Sequence, residues 1–184
     1  MAKSIPVDDL ASVLPGSTLS LFTSADLAEL VVLQRCSWVS EAIINATLDI
    51  PALHENHDEV LAWANAWTTL VVRVEGRLVA AVRGRQEGTS WEIGRLMVAP
   101  DLAGRGIGST LLAAIESLAP HGVDNFSLFT GARSVRNIAL YERAGYRLTD
   151  APDPNSPGHI SGAVYLVKPR SSRGEVLVAG RTVS

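Results

Sequence analysis

The stretch that decides the fold runs from Trp91 to Leu112 and reads W-E-I-G-R-L-M-V-A-P-D-L-A-G-R-G-I-G-S-T-L-L. Its first half has the make-up of a strand. Ile93, Leu96, Met97 and Val98 supply apolar side chains, and Pro100, lacking an N–H for a ladder bond, marks the end. Its second half has a helical period, with Ile107, Leu111, Ile115 and Leu118 at steps of four, four and three. Between the halves, Gly104, Gly106 and Gly108 alternate with Arg105 and Ile107. A strand, a loop of bare backbone and a helix start together suit a phosphate. Glycines let the main chain approach an anion closely, and the free N–H groups of the first helical turn point at it.

Composition bounds what surrounds this stretch. A chain of 184 residues, with 47% apolar residues, suits one domain that buries roughly 70% of its unfolded surface. The net charge of -3 and scattered charges give no basic field for nucleic acid. Cys36 is the only cysteine, so no internal disulfide forms, and the expected setting is cytoplasmic. The opening M-A-K-S-I-P-V-D-D-L holds no apolar run of signal length, and no run approaches the ~20 apolar residues of a membrane span. Neither a nucleic acid nor a membrane is expected as a partner.

Working outward, residues 1–16 have no clear period and end in Pro15-Gly16, which reads as a loose leader. Thr18 to Phe22 reads as a strand. Thr23 or Ser24 then caps a helix from Ala25, with Asp26 in its first turn and Leu27, Leu30, Val31 and Trp38 on one face. Residues 39–56 are ambiguous: Ile43 and Ile44 look buried, while Pro51, Asn56 and two histidines suggest loop. Val60, Trp63, Ala64 and Trp67 form a second helical stripe, read as core. Strands over Thr69–Val74 and Leu78–Arg83 are joined through Glu75-Gly76-Arg77. After the central helix come a strand over Asn125–Thr130, a helix from Ser134 to Arg143 closed by Gly145, and strands over Tyr146–Leu148 and Ala163–Val167 around A-P-D-P-N-S-P-G. The tail from Arg170 is polar, with a weak apolar run at Val176–Val178. The expectation is a mixed α/β domain over 17–169. Its central sheet of 6–7 strands, antiparallel before the main helix and parallel across it, is flanked by about four helices.

A glycine cluster by itself is a weak signal, equally a tight strand-to-helix turn. The dinucleotide pattern G-x-G-x-x-G fails, because Ser109 stands at its third glycine, and no Lys-Ser/Thr follows Gly108 as a Walker loop requires. A second motif changes the balance. L-M-V-A-P-D-L-A-G-R-G-I-G-S-T-L-L followed by S-V-R-N-I-A-L-Y-E-R-A-G-Y resembles the GNAT family of N-acetyltransferases in both content and order. The likeness spans about Thr18 to Lys168 in architecture and is specific from Glu92 to Tyr146. It implies a GNAT acyl-CoA N-acyltransferase fold and acetyl-CoA as acyl donor. It also implies that Leu96, Met97 and Val98 receive the pantetheine arm while Gly104, Arg105, Gly106, Ile107, Gly108 and Ser109 cradle the pyrophosphate. One position departs: the family loop usually opens on Arg or Gln, and here it opens on Ala103. Since the phosphate contacts are main-chain N–H groups, the expected effect is weaker affinity, with Arg105 as partial compensation.

The remaining roles follow from acyl transfer to an amine, which needs a neutral amine, a stabilised oxyanion and a protonated leaving thiol. Glu92 matches the general-base glutamate of some family members. Leu96 is four residues on, about 13 Å along an extended strand, and the two-residue period puts both on one face, so a water relay is the expected route to the amine. The bland reading of Glu92 is a charged strand residue in solvent. Tyr141 matches the family tyrosine that protonates the departing thiolate, against the alternative of a core aromatic. Asn137 would bond the pantetheine or phosphate end, Arg133 or Arg136 would reach a phosphate, and Ser134 reads as a helix cap.

Cys36 is expected to be a buried small hydrophobe, and His54 and His57 lack partners at metal spacing. Glu41, Asp49, Glu55, Asp58 and Glu59 lie where the family builds its acceptor helices; most are expected on the surface. The function expected is direct acetyl transfer in a ternary complex to an amine-bearing acceptor, by a monomer or homodimer. The competing reading is a coenzyme A-binding module without turnover.

Overall fold

The computed structural model describes residues 8–150 and 162–170. Its strands are β1 (Ser17–Leu21), β2 (Thr68–Val74), β3 (Arg77–Glu87), β4 (Ser90–Val98), β5 (Asn125–Gly131), β6 (Arg147–Thr149) and β7 (Ala163–Pro169). They form one sheet in the order β1-β2-β3-β4-β5-β7-β6, in which β4 and β5 alone run parallel. The helices are α1 (Asp8–Val13), α2 (Leu27–Asn45), α3 (Pro51–His54), α4 (His57–Ala66), α5 (Ile107–Ser117) and α6 (Val135–Arg143). The expected mixed sheet is present with its seventh strand. Four helices exceed two turns, and α1 and α3 are short additions. The loop A-P-D-P-N-S-P-G and the tail beyond Arg170 lie outside the described residues.

The core sits on both faces of the central strands. Leu70 to Val72 and Leu78 to Val82 are buried without alternation, the pattern of strands covered on both sides. α2 and α4 cover one side, α5 the other, and α1 lies against α5. Residues 8–14 therefore contribute to the core, contrary to the loose leader expected there: Leu10 and Leu14 are buried. The missing signal is length, because six residues are too few to show a period.

α2 also runs further than expected, through the ambiguous segment to Asn45, and ends on Ala46 in a left-handed conformation. Its inward stripe is Leu30, Val31, Leu33, Gln34 and Ala42. Ile43 and Ile44 are exposed at 75% and 39%, not buried, since that stripe leaves them facing outward. Cys36 is likewise exposed rather than buried.

Two polar clusters fix the edges. Arg73 on β2 bonds Asp26 at 2.7 Å and Glu29 at 2.8 Å, tying the start of α2 to the hairpin. Burial pushes the Asp26 carboxyl up, but the hydrogen bonds from Arg73 and Thr23 outweigh it and hold the group below the usual carboxylate range. At the far edge, Tyr146 donates to Glu116 at 2.8 Å, and Lys168 reaches the same carboxylate at 2.7 Å.

The decisive irregularity is in β4. Arg83 faces Gly94, yet Ala81 faces Met97, so β4 carries one residue more than β3 over that interval. The extra residue centres on Arg95, a non-glycine residue at φ +51°. A bulge reverses the face assignment of everything beyond it. Glu92 and Leu96 consequently lie on opposite faces, against the shared face expected from an unbroken two-residue period. The parallel pairing of β4 with β5 covers only Ser90 to Ile93. Past Ile93 the two strands part.

Gly84 tests how tightly this region is packed. A Cβ there would lie 2.5 Å from the Trp91 indole, which is only 3% exposed. We expect Gly84→Ala to lower stability by about 1–3 kcal/mol, read as a shift in the urea midpoint; an unshifted midpoint would show that Trp91 can move away.

Candidate functional site

The loop after β4 is built from residues that expose main chain. Gly104 and Gly106 sit at φ +82° and +85°, a region that strains any residue with a Cβ, and Gly106 is the N-cap of α5. The first backbone bond into the helix is Thr110 N–H to the Gly106 carbonyl. Among the described residues, the N–H groups from Gly104 to Ser109 therefore have no main-chain acceptor. They converge at a helix N-terminus, where the helix dipole also favours negative charge.

A groove of 1070 Å³ starts at this loop and follows the gap between β4 and β5. It is the space opened by the lost pairing beyond Ile93. The cross-strand register gives Arg95 and Leu96 no partner on β3 either, so this wall presents unpaired main chain. Glu92, Leu96, Val98, Gly104, Gly106, Ile107, Gly108, Ser109, Asn137 and Tyr141 all line it. Ile107 and Met97 are each 1% exposed, so their side chains belong to the core. Met97 does not line the groove, and the Arg105 side chain projects into solvent away from it. Beside the loop stands Arg136 of α6, whose Nη2 lies 3.9 Å from where a Cβ on Gly104 would be. Arg136 thus adds to the loop's Arg105 a charge from an element far away in sequence.

Tyr141 is 8% exposed and packs edge-on against Tyr146 at 6.0 Å. Burial, then the nearby Glu41 carboxylate, pushes its phenol further above the ordinary value, at which it is already protonated at neutral pH. The hydroxyl has no hydrogen-bond partner among the described residues, in a side chain that borders the groove. Glu92 is half-buried on the same groove and is held by Arg85, which donates from Nη2 at 3.0 Å and Nε at 3.2 Å. That pair fixes the carboxylate in position.

α2 and α6 meet across the groove. Glu41 accepts from Asn137 Nδ2 at 3.0 Å and from the Ser134 hydroxyl, and Asn45 Nδ2 donates to the Ser134 oxygen at 3.0 Å. Ser134 makes no side-chain cap bond, contrary to expectation, because its hydroxyl is spent on α2. Asn137 is brought to the groove as expected, but with its amide already bonded to Glu41. A Cβ on Gly131 would fall 2.4 Å from Asn45 Oδ1, so β5 approaches α2 closely here.

Below this junction lies a cluster that sequence reading missed. Arg83 stacks on Trp67 at 4.0 Å and Trp63 at 4.6 Å; Arg95 lies 5.2 Å from Trp38 and bonds Glu55 at 2.5 Å. Glu55 also accepts from Gln34 at 3.0 Å and from the Trp63 indole at 3.1 Å. The tryptophan stripe is therefore half-buried and packed on cations rather than closed into the core. Burial, then the charge of Arg95, lowers the Arg83 guanidinium to about 9. Trp63 and Trp67 gave a visible period, but nothing local indicated that arginines from two strands would fill the gap beside them. Asp49, Asp58 and Glu59 are exposed, as expected for that group of acids, and Glu41 and Glu55 are the exceptions. Among the described residues no group of His, Cys, Asp and Glu side chains could hold a metal ion, and no helix is long and apolar enough to cross a membrane.

Comparison with known proteins bears on the whole arrangement. The profile of the acetyltransferase (GNAT) family matches residues 36–146. A mycothiol acetyltransferase of Clavibacter sepedonicus is 34% identical over 139 residues, covering 72% of this chain and 43% of that protein. A second, from Clavibacter michiganensis, matches to the same extent. The chain thus spans less than half the length of the curated relatives it matches. Among solved structures, an acetyltransferase from Streptococcus agalactiae superposes with TM-score 0.68 at 17% identity, over 85% of this chain and 100% of that one. An N-acetyltransferase from Thermoplasma acidophilum, solved in complex with coenzyme A, does so with TM-score 0.62 at 15% identity, over 84% and 99%. Those two likenesses concern the fold. The profile match across the strand, the glycine loop and the tyrosine helix carries the assignment: the chain belongs to the GNAT family of acetyltransferases.

Proposed function

We propose that this chain transfers acetyl from acetyl-CoA to an amine by direct attack in a ternary complex. The observation that carries the reading is continuity: one groove joins the unpaired N–H groups of Gly104 to Ser109 to the hydroxyl of Tyr141 and the carboxylate of Glu92. The residues present fit the coenzyme. Positive-φ glycines keep side chains off the loop, Arg136 stands beside it, and Arg133 lines the same groove. Main chain at Leu96 and Val98 offers amide groups for an extended arm, with the Val98 carbonyl already approached by Ser37 Oγ at 3.5 Å.

The coenzyme supplies the acetyl group as a thioester, activated for transfer. Glu92 accepts a proton from the amine through a water molecule, freeing the nitrogen lone pair, and its bond to Arg85 keeps the carboxylate in place. The nitrogen forms its bond to the acetyl carbon as the carbon–sulfur bond breaks, and the proton it sheds on becoming an amide passes to solvent. Tyr141, a phenol that is protonated at neutral pH, donates its proton to the departing sulfur and regains one from solvent. Cys36 lies exposed on α2 and outside the groove lining, which favours direct transfer over a covalent acetyl-enzyme. The single cysteine suits a cytoplasmic setting.

The second reading, a coenzyme-binding module without turnover, is favoured by Ala103 at the loop and by the Asn137 amide being committed to Glu41. Release of free thiol from acetyl-CoA in the presence of a panel of amines, a mycothiol-related amine among them, separates the two. Release with any amine supports transfer; binding of coenzyme A with no release supports the module.

Coenzyme A is expected to raise the melting temperature, because a ligand that binds only the folded state stabilises it. Gly106→Ala is expected to weaken that binding by about 1–2 kcal/mol, the scale of forcing a side chain into the left-handed region, measured by calorimetry. Equal affinity in wild type and variant would remove the loop from the coenzyme site. Tyr141→Phe is expected to lower kcat on the order of 100-fold while coenzyme affinity holds; an unchanged kcat would take Tyr141 out of the mechanism.

A further inference from the structure

We propose that the acceptor is a small amine carrying a carboxylate a few bonds from its nitrogen, and that Arg83 is the residue that recognises that carboxylate. The inference rests on the acetyl-transfer reading above and adds to it the class of acceptor.

The first ground is charge pairing. Three arginines stand together beside the groove. Arg95 is paired with Glu55 at 2.5 Å, and Arg85 with Glu92 at 3.0 Å and more loosely with Glu87 at 3.8 Å. Arg83 has no ion pair and no hydrogen bond among the described residues. Its Nε is shut off from solvent with no partner, and so is that of Arg95. The Glu55 and Glu92 carboxylates act on it from a distance but are themselves bonded to Arg95 and Arg85, and a half-buried guanidinium without a directly bonded counter-charge is costly to retain. An anionic ligand would supply what the protein leaves out.

The second ground is geometry. Trp67 and Trp63 cover the guanidinium of Arg83 at 4.0 and 4.6 Å. The two indoles lie against the group and can accept no hydrogen bond in the plane of the fork, so they leave its N–H groups to another partner. The Nη groups remain accessible, in a residue that borders the groove. The planar fork of a guanidinium matches the two oxygens of a carboxylate, which accept in parallel. Gly94, directly across the strand pair, keeps the approach open: a Cβ there would already touch Arg83 Nε at 3.4 Å.

The third ground is spacing. Glu92 faces Arg85 and Arg83 faces Gly94, so Glu92 and Arg83 are diagonal neighbours on one face of the β3–β4 ladder. Such neighbours lie about 7–8 Å apart. An amine relayed by water to Glu92 and a carboxylate on Arg83 thus fit one small molecule of amino-acid size. Arg95 is on the same face only because of the bulge, and its charge adds to the field there.

The test is titration calorimetry with N-acetylglycine, N-acetylalanine and N-acetylleucine, each against its primary amide, with and without coenzyme A. The acids reproduce the acetylated product and the amides remove only the charge. Wild-type protein is expected to bind at least one acid about tenfold or more tighter than its amide, the margin of a charge-assisted fork. Arg83→Met should abolish that preference, and Arg83→Lys, which keeps the charge but not the fork, should retain only part of it. Gly94→Val leaves Arg83 in place but crowds its Nε, and should reduce the preference as well, which covers the case of a misfolded Arg83 variant. Equal affinity for acid and amide, no binding of either, or a preference untouched by all three substitutions overturns the proposal. Failure of the acetyl-transfer reading shows elsewhere, as absent coenzyme binding or absent thiol release, and leaves these titrations interpretable.

Discussion

The loss of pairing between β4 and β5 beyond Ile93 is the constraint on which the site depends. Paired strands lie about 4.8 Å apart, too close for any ligand to pass between them. Opening the sheet leaves main-chain N–H and C=O groups without partners, and buried groups of that kind cost free energy unless something else satisfies them. The structure confines the cost to a short segment. Pairing is intact from Ser90 to Ile93, and the bulge at Arg95 turns the strand where the ladder ends. The exposed main chain then lines a groove, where a ligand's own polar groups can complete it.

The groove has two ends of different chemistry, and their separation follows from which elements reach each one. At the loop end the field comes from backbone N–H groups and the α5 dipole, supplemented by Arg136 of α6. At the other end it comes from side chains of β3, β4 and α4, where guanidinium groups lie on indole faces and beside carboxylates. The contact of Glu41 with Ser134 and Asn137 spans the middle and ties α2 to α6. Tyr141 sits near that tie, in low-dielectric surroundings that hold its proton more tightly.

A site with unpaired backbone and a half-buried unpaired cation needs a rigid frame. The strands on either side of it supply one: β2 and β3 are buried on both faces, and the Arg73 fork and the Tyr146–Glu116–Lys168 cluster hold the two flanks. α1 extends that frame past the glycine loop, with Val13 against Gly106. A segment whose sequence shows no period therefore supports the loop from beneath.

Much of this was legible residue by residue. The step from Met97 and Val98 through three glycines to Ile107 and Leu111 specifies strand, loop and helix from local chemistry: apolar content, freedom at positive φ, and the helical period. The helix carrying Tyr141 is equally local, bounded by Ser134 and Gly145. What could not be read depends on pairing across distance. The bulge at Arg95 exists only in the register of β4 against β3, so the faces of Glu92 and Leu96 were assigned wrongly from an unbroken period. Asn137 found Glu41, and Arg136 came to the loop beside Gly104, because these elements meet only in the folded chain. Arg83, Arg95 and the tryptophans gather for the same reason. The sequence by itself determined the strands and helices that flank the glycine loop and the loop's free N–H groups, since those rest on backbone preferences within a few residues. Tertiary structure alone decided which charges face each other across the groove, since that depends on contacts between strands and helices far apart in the chain.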